Sequence, residues 1–526
     1  MNEQFDVVVV GGGSAGCIVA ARMSENPARS VLLLEAGPDY ATAESVPAGV
    51  LEARYNPMRG QSPDPDPKHD WGLSVKGKDG GTIAAPQGHL IGGGSAVNAM
   101  MSIRGVRTDH EEWTALGNPS WGWDEALAAY RELEDDSAPS SEIHGRGGPW
   151  SVTRHHPAEY GPLQAAFVES CRNLGIKDSW DLNAPGAEGV GPIPMSRFGT
   201  KRISTAAAYL NPARHRANLS VRGDSLVARV LFDGESVIGV ELADGTHIDA
   251  GEVILCSGAI LTPAVLQRSG VGPADILDGL GIEVVADLPV GENLFDHVSV
   301  PLLAKPREGA WNPDHFSMQT AVRTSTSVQP GTFDAQLTMF SYLNARTTGE
   351  GVRGLAGEGA ANLENVAGIG TMLHKPRATG TVEIVSTDPT VLPAVDPNYL
   401  GHPTDVASMR EIVRMGWKVL TAEPLASLLG EPLSMNAAII ADDDALDQAI
   451  EGMVAAVYHF NGTCKMASKD QGGVVDETGK VYGLRGLRVA DASVIPTSPG
   501  SNTMLPTIMV AERISAFAGK PPAAAN

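Results

Sequence analysis

The spacing of hydrophobic residues along this chain changes several times, and each change predicts an element. Phe5–Val10 is an unbroken apolar, β-branched run, the pattern of a strand buried on both faces. The glycine-rich turn Gly11–Gly16 follows, then a helical stretch over Ala15–Ser24 and a second short strand at Val31–Leu34. Trp113–Glu134 reads as helix. Leu219–Asp249 reads as a meander of short strands, turning at Asp233-Gly234 and Asp244-Gly245. Glu252–Cys256 is another buried run, followed by Ser257-Gly258-Ala259 and a helix from about Thr262. Residues 317–343 and 366–386 alternate in the manner of strands, and amphipathic helices fit 403–421 and 442–456. Val489-Ala490-Asp491 closes a further strand, and Pro506–Phe517 is a final helix. Between these elements, 41–85 is a long excursion rich in Pro, Gly and Asp. Residues 344–365 form a Gly- and Glu-rich loop, and the tail from Gly519 is expected to be disordered. No internal repeat is present.

The first of these transitions carries chemistry. Gly11, Gly13 and Gly16 fit G-x-G-x-x-G between a strand and a helix. Gly11 permits the tight turn, Gly13 lets a pyrophosphate approach the backbone, and Gly16 lets the helix pack closely. The helix start presents free N–H groups and a positive dipole end to phosphates. Glu35 ends the second strand, where an acid binds ribose hydroxyls; it fits NAD and FAD alike and argues against a 2′-phosphate. Strand, turn, helix, strand and acid in register make a dinucleotide site the expectation. A second glycine-rich stretch lies within His89–Gly105 and again allows close approach of a ligand.

Composition narrows the function classes. A chain of 526 residues is long enough for two or more domains, and 42% hydrophobic with 19% charged residues is ordinary for a globular protein. The net charge of −23 argues against nucleic acid or an anionic membrane surface as partner. No apolar run is long enough to span a membrane, and the first residues lack a signal-peptide pattern. The four cysteines, Cys17, Cys171, Cys256 and Cys464, are far apart and read as reduced thiols, so a cytoplasmic location is expected. Cys17 and Cys256 read as core filler. His144, His155 and His156 sit in polar stretches without metal-ligand spacing, so no metal site is expected.

The ordered motifs resemble those of the glucose–methanol–choline (GMC) oxidoreductases, FAD-dependent alcohol oxidases and dehydrogenases. They are Gly11–Gly16 with Glu35, Gly92-Gly93-Gly94-Ser95, and Ser257-Gly258-Ala259 with Pro263. Gly270-Val271-Gly272-Pro273, Gly291-Glu292-Asn293-Leu294 with Asp296-His297, and His459 with Gly462-Thr463 follow. Leu487–Val494 and Asn502–Pro506 complete the set. Within that family the chain looks most like bacterial oxidases of choline, pyridoxine and furanic or aryl alcohols. The resemblance implies an α/β fold, with a Rossmann-like FAD-binding domain and a mixed-sheet α+β substrate domain. The FAD-binding domain would take 1–150, 192–297 and 456–526, and the substrate domain 151–191 and 298–455. It makes Gly11, Gly13, Ser14, Ala15, Gly16, Glu35 and Ala36 the ADP-binding set, with Val227 meeting the adenine through its backbone. Gly93, Ser95 and Asn98 would lie along the flavin, with Ser257, Gly258, Asp491 and Ala492 at its ribityl and pyrophosphate part. His459 would be the catalytic histidine and Asn502 its partner; His297 would be structural. Some members link the flavin through a histidine two residues past the conserved serine. Here that position is Val97, so FAD is expected to bind without a covalent link.

These residues suit the oxidation of a primary alcohol to an aldehyde. A neutral imidazole at His459 takes the hydroxyl proton, while Asn502 donates to the alkoxide-like oxygen. A lone histidine would read as a core residue satisfied by a backbone carbonyl, and Ser498–Asn502 is also good turn chemistry, but in this motif context catalysis is the expectation for both. Alternation places Gly370, Met372 and His374 on one strand face, either lining a substrate pocket or on an exposed edge. The partners expected are a small alcohol and an electron acceptor, with the chain a monomer or homodimer. The acceptor is O₂, hinted at by the small apolar Val457, or a quinone or carrier. A lyase-type member without net oxidation and a non-catalytic nucleotide-binding protein are the competing classes.

Overall fold

The computed structural model describes residues 3–519 apart from 43, 57–65, 79, 139–141, 313, 345–364 and 434. The interior of the loop expected at 344–365 and the tail beyond Gly519 lie outside the described residues.

Two seven-stranded sheets organise the chain. In the first, Leu219–Arg222, Val31–Leu34, Glu3–Val10 and His247–Leu255 run parallel in that order. Val7–Val10 are buried on both faces, as their continuous apolar character requires. His247–Leu255 is shared along its other edge. Its first half pairs antiparallel with Ser236–Leu242, its second half parallel with Leu487–Val489 from the far end of the chain. Helix Ser14–Met23 packs against helix Met504–Gly519, and Arg22 makes a two-pronged contact of 2.8 Å per bond with Glu512. The last segment is therefore built into the first nucleotide-binding unit.

The second sheet runs Leu429–Pro432, Val298–Pro306, Asn365–Leu373, Ala335–Asn344, Thr320–Thr324, Gly189–Pro192, with Ala455–Ala456 also on Val298–Pro306. Its two faces are distinct. Helix Pro403–Leu420 covers one, coming so close that a Cβ on Gly416 would sit 2.6 Å from Thr371. Leu302, Leu337, Met339 and Ile369 belong to the core on that side. Phe340 and Met372 belong to a separate apolar cluster with Met101, Met318 and Val457 on the other side.

Several elements differ from the sequence expectation. Trp113–Glu134 is not one helix: Arg107–Ala115 and Trp123–Leu133 are separated by Gly117 at φ +92° and the turn Pro119–Trp121. Leu219–Arg222 leaves the meander and pairs parallel with Val31–Leu34. Glu252–Cys256 is not a separate strand but the end of His247–Leu255. The helix after it begins at Gly258 and tolerates Pro263 in its second turn, where few intrahelical bonds are lost. In 366–386 the sheet strand stops at Leu373, and Thr381–Glu383 pairs with Ala394–Asp396 instead.

Candidate active site

A groove runs between the glycine turns of the first sheet and the second sheet. One half, of about 660 Å³, is lined by Gly11, Gly13, Glu35, Ala36, Val227 and Ser257, among others. The other, of about 770 Å³, is lined by Gly94, Asn98, Val457, Tyr458, His459 and Asn502, among others. Gly88 lines both halves. The long excursion reaches each, through Trp71 in the first and Asn56 in the second.

Backbone geometry shapes the first half. Gly11 has φ +94°, and a Cβ there would lie 2.7 Å from the Cys256 carbonyl oxygen. A Cβ on Gly16 would sit 1.8 Å from the Gly11 carbonyl oxygen, so the third glycine closes the turn on itself. The second glycine stretch docks here: Gly92 N–H donates to Gly12 O at 2.8 Å, and a Cβ on Gly93 would be 2.7 Å from Gly13 Cα. Ser14 Oγ accepts from Ser95 N–H, and Ala15 is buried. Helix Ser14–Met23 starts with no side-chain cap and no acid in its first turn, leaving its first N–H groups for an anion. Glu35 accepts from Gly12 N–H at 2.7 Å and Gly37 N–H at 2.9 Å, while burial pushes its carboxyl up. This glycine-lined groove, with its uncapped helix and carboxylate, fits a dinucleotide.

Some expected cofactor residues point elsewhere. Ser95 Oγ donates to Gly92 O at 2.6 Å and accepts from Thr205 N–H, so it holds the turn. Asn98 Oδ1 accepts from Met100 N–H and Arg202. The Asp491 carboxylate is taken up by Gly258 N–H, Thr262 Oγ and Ser493, and burial raises its pKa. What Asp491 and Ala492 offer a ligand is therefore backbone. Val97 is buried in an apolar cluster with Val50, Leu90 and Ala96.

The second half is organised by a carboxylate and three histidines. Asp296 is buried and accepts from Val457 N–H, His459 N–H at 2.7 Å and Tyr399 OH at 2.5 Å. Burial outweighs these donors and pushes its carboxyl up to about 6. The clamp holds Tyr458 at φ +66°, a left-handed conformation that costs on the order of 1–3 kcal/mol in a non-glycine residue. His459 follows. Its Nδ1 lies 2.8 Å from His297 Nδ1, and its Nε2 lies 3.3 Å from Asn502 Nδ2.

The network fixes the tautomers. His297 Nε2 is 3.1 Å from the Pro499 carbonyl, which only accepts, so Nε2 carries the proton. Burial, then the neighbouring His374 and His459, hold the His297 pKa well below the usual imidazole range, so His297 is neutral and Nδ1 accepts. His459 Nδ1 must then carry hydrogen, so in the neutral imidazole Nε2 is the acceptor beside Asn502. His374 stacks on His297 with ring centres 4.5 Å apart. It is neither on an exposed edge nor part of the groove wall; Met372 lines the groove instead. Sequence reasoning undervalued His297 and missed the role of Asp296, although the Asp296-His297 motif itself was visible.

His144 and His155 are buried, contrary to the polar setting expected of them. His144 lies within reach of Glu134, Asp136 and Asp181, and the first two with His144 could in principle bind an ion. Arg104 pairs with Glu134, and Arg154 with Asp136 and Asp181. Burial opposes charge on His144, but the bonds to Asp136, Asp181 and Glu134 prevail and push its pKa up to about 10. Three carboxylates thus meet three cations, and a metal would have to displace a proton and two guanidiniums.

Comparison with known proteins shows the family. The GMC oxidoreductase family matches over residues 5–299 and, through its C-terminal part, 376–511. The chain is 34% identical to 5-(hydroxymethyl)furfural oxidase of Methylovorus sp. (strain MP688), covering 97% of this chain and 98% of that one. It is 32% identical to human mitochondrial choline dehydrogenase, covering 97% and 89%. The solved structure of pyridoxine 4-oxidase from Mesorbium loti superposes with a TM-score of 0.85 at 27% identity, over 97% and 98% of the two chains. Matched over most of its length by sequence and by fold, the chain belongs to the GMC oxidoreductases, flavoenzymes that act on CH–OH groups.

Proposed function

We propose that the protein oxidises a primary alcohol to an aldehyde with non-covalently bound FAD, using His459 as the general base. The observation that carries this reading is the tautomer chain Pro499 O···His297···His459, which puts the hydrogen of a neutral His459 on Nδ1 and makes Nε2, beside Asn502, its basic nitrogen. The flavin, when bound, supplies a hydride acceptor for the alcohol carbon. Gly11, Gly13, Glu35, Ala36, Val227 and Ser257 would hold its ADP part, and Asn98, with the backbone near Gly93 and Asp491–Ala492, its flavin part.

The chain's own residues do the rest. An alcohol hydroxyl placed between Asn502 and His459 donates its hydrogen to Nε2 and accepts from Asn502 Nδ2. As the proton moves to Nε2, His459 becomes cationic, and the bare Nδ1 of His297 stabilises the remaining Nδ1–H. Asn502, being uncharged, supports the developing alkoxide without raising the cost of protonating His459. The relatives support the alcohol reading, since they include enzymes named for acting on hydroxymethylfurfural, choline and pyridoxine. Val457 lines the groove next to Tyr458 and His459, which supports O₂ as acceptor over a quinone or carrier. We further propose the division of the chain at 1–150, 192–297 and 456–526 against 151–191 and 298–455. Strand membership in the two sheets supports it, apart from Gly189–Pro192 and Ala455–Ala456, second-sheet strands that each run one residue past a boundary.

The test is anaerobic mixing of the purified protein with primary alcohols, followed by exposure to air. Bleaching of the flavin by an alcohol, and its return in air within a turnover, is the expected result. A flavin that no alcohol bleaches would overturn the reading, and return only with an added quinone would overturn the choice of O₂.

A further inference from the structure

We infer that the substrate half of the groove takes an uncharged alcohol carried on a flat aromatic ring, and that Gly370 and Phe340 set the size of that ring. The inference rests on reading this cleft as the alcohol site. Its apolar wall includes Met101, Met318, Phe340, Met372, Val457 and Tyr458. The polar groups beside them are amides, a hydroxyl and an imidazole; among the described residues no Asp, Glu, Lys or Arg lines this half. The carboxylate behind it, Asp296, is buried, and it accepts from Val457 N–H, His459 N–H and Tyr399 OH. An ammonium or carboxylate head entering here would lose its water and meet no counter-charge among the described lining residues, which strongly disfavours both. Four thioethers, with Met504 the fourth, and two aromatic rings favour the opposite kind of guest, because methionine sulfur packs well against ring edges and adapts its shape.

The size limit comes from one glycine. Gly370 lies on Asn365–Leu373 and pairs with Thr338. A Cβ placed on it would sit 2.5 Å from Phe340 Cε2 and 3.2 Å from Cζ. The Phe340 ring thus occupies the space a side chain at 370 would need. Gly370→Ala must move that ring, and the covered core under the opposite sheet face leaves the cleft as the side with room.

The experiment uses the holoenzyme and one shape with three charges: 4-methylbenzyl alcohol, 4-carboxybenzyl alcohol and 4-(aminomethyl)benzyl alcohol at pH 8, with choline beside them. The rate of anaerobic flavin bleaching is read for each. The flavin absorbance shift on binding the matched methyl ethers, which cannot be oxidised in the same way, is read separately. The neutral compound is expected to be more efficient than either charged one by about 10² or more, and to be the one whose ether shifts the flavin spectrum. Gly370→Ala should raise the apparent KM for 4-methylbenzyl alcohol about 10-fold while sparing allyl alcohol and FAD content. Phe340→Ala should act in the opposite sense and admit 2-naphthalenemethanol, which keeps the idea testable if the alanine at 370 disturbs folding. A charged alcohol that matches or exceeds the neutral one sinks the inference but leaves alcohol oxidation standing. A neutral ether that shifts the flavin while no alcohol bleaches it does the reverse. Silence from every alcohol tested and from the neutral ether overturns the two together.

Discussion

A histidine acts as a base only through an unprotonated nitrogen, and in the proposed mechanism residues remote in sequence decide which nitrogen of His459 that is. His459→Ala should slow anaerobic flavin reduction by on the order of 10²–10⁴ with FAD content largely retained. Reduction at the parent rate with an unchanged pH profile would remove His459 from the mechanism. Asn502→Ala should also slow reduction but keep the fall in rate toward acid pH, because the base persists. His297→Ala removes the acceptor that orients His459, so the rate should drop on the order of 10² with little change in KM, and the acid limb should move. A change in KM alone, with the limb unmoved, would make His297 merely a packing residue. His459 and Asn502 could be picked out of the sequence because each sits in a distinctive local motif. The parts played by Asp296 and His297 were not visible, since they depend on contacts about 160 positions apart in the chain. Nor does any residue type announce the φ of +66° at Tyr458, which exists because Asp296 grips the backbone on both sides of it.

At the scale of elements, period and turn chemistry carried well for regular pieces. Val31–Leu34 and the helices near 403–421 and 442–456 depend on local pattern, and the structure has them with ends shifted by no more than a few residues. Expectation failed where tertiary pairing decides. Leu219–Arg222 looked like its meander neighbours, yet it pairs with Val31–Leu34 because that edge of the parallel sheet was open. Glu134, expected to end a helix, instead opens the short strand Glu134–Asp136 on Trp150–Val152, next to the buried His144 network. That network makes a prediction with a sign. The His144 pKa is raised to about 10 in the folded protein from about 6.5 when unfolded. Its contribution is therefore fully present below about pH 6.5 and is lost as pH rises toward 10. Urea melts at pH 6.5, 8 and 9.5 should show falling stability for the parent. His144→Asn should be less stable by on the order of 3 kcal/mol at pH 6.5 and should approach the parent at the alkaline end. Parallel curves for the two proteins would show that His144 is not the titrating group.

On the scale of the whole molecule, the chain crosses between two sheets and returns. The strand that completes the first sheet, the helix that packs on its first helix, and both candidate catalytic side chains come from the last 71 positions, 456–526. The order of motifs along the sequence implied that return, whereas which strands join which sheet required the fold. The same closure bears on how the cofactor is held. The two glycine turns meet backbone to backbone, and the short helix Gly94–Val97 leaves that junction with Ala96 and Val97 turned into a small apolar cluster. Position 97 has no nucleophile, is 1% exposed, and packs beside Val50 and Leu90. The thiol that lines the first half of the groove, Cys256, is no better placed: it is buried, and burial raises its pKa well above the ordinary value, so thiolate is scarce. Acid or heat denaturation should therefore release free FAD. The denatured polypeptide should show the mass of the chain alone, and the supernatant an absorbance spectrum of flavin. A polypeptide that keeps a flavin mass after denaturation would contradict this, and peptide mapping would then identify which side chain holds it.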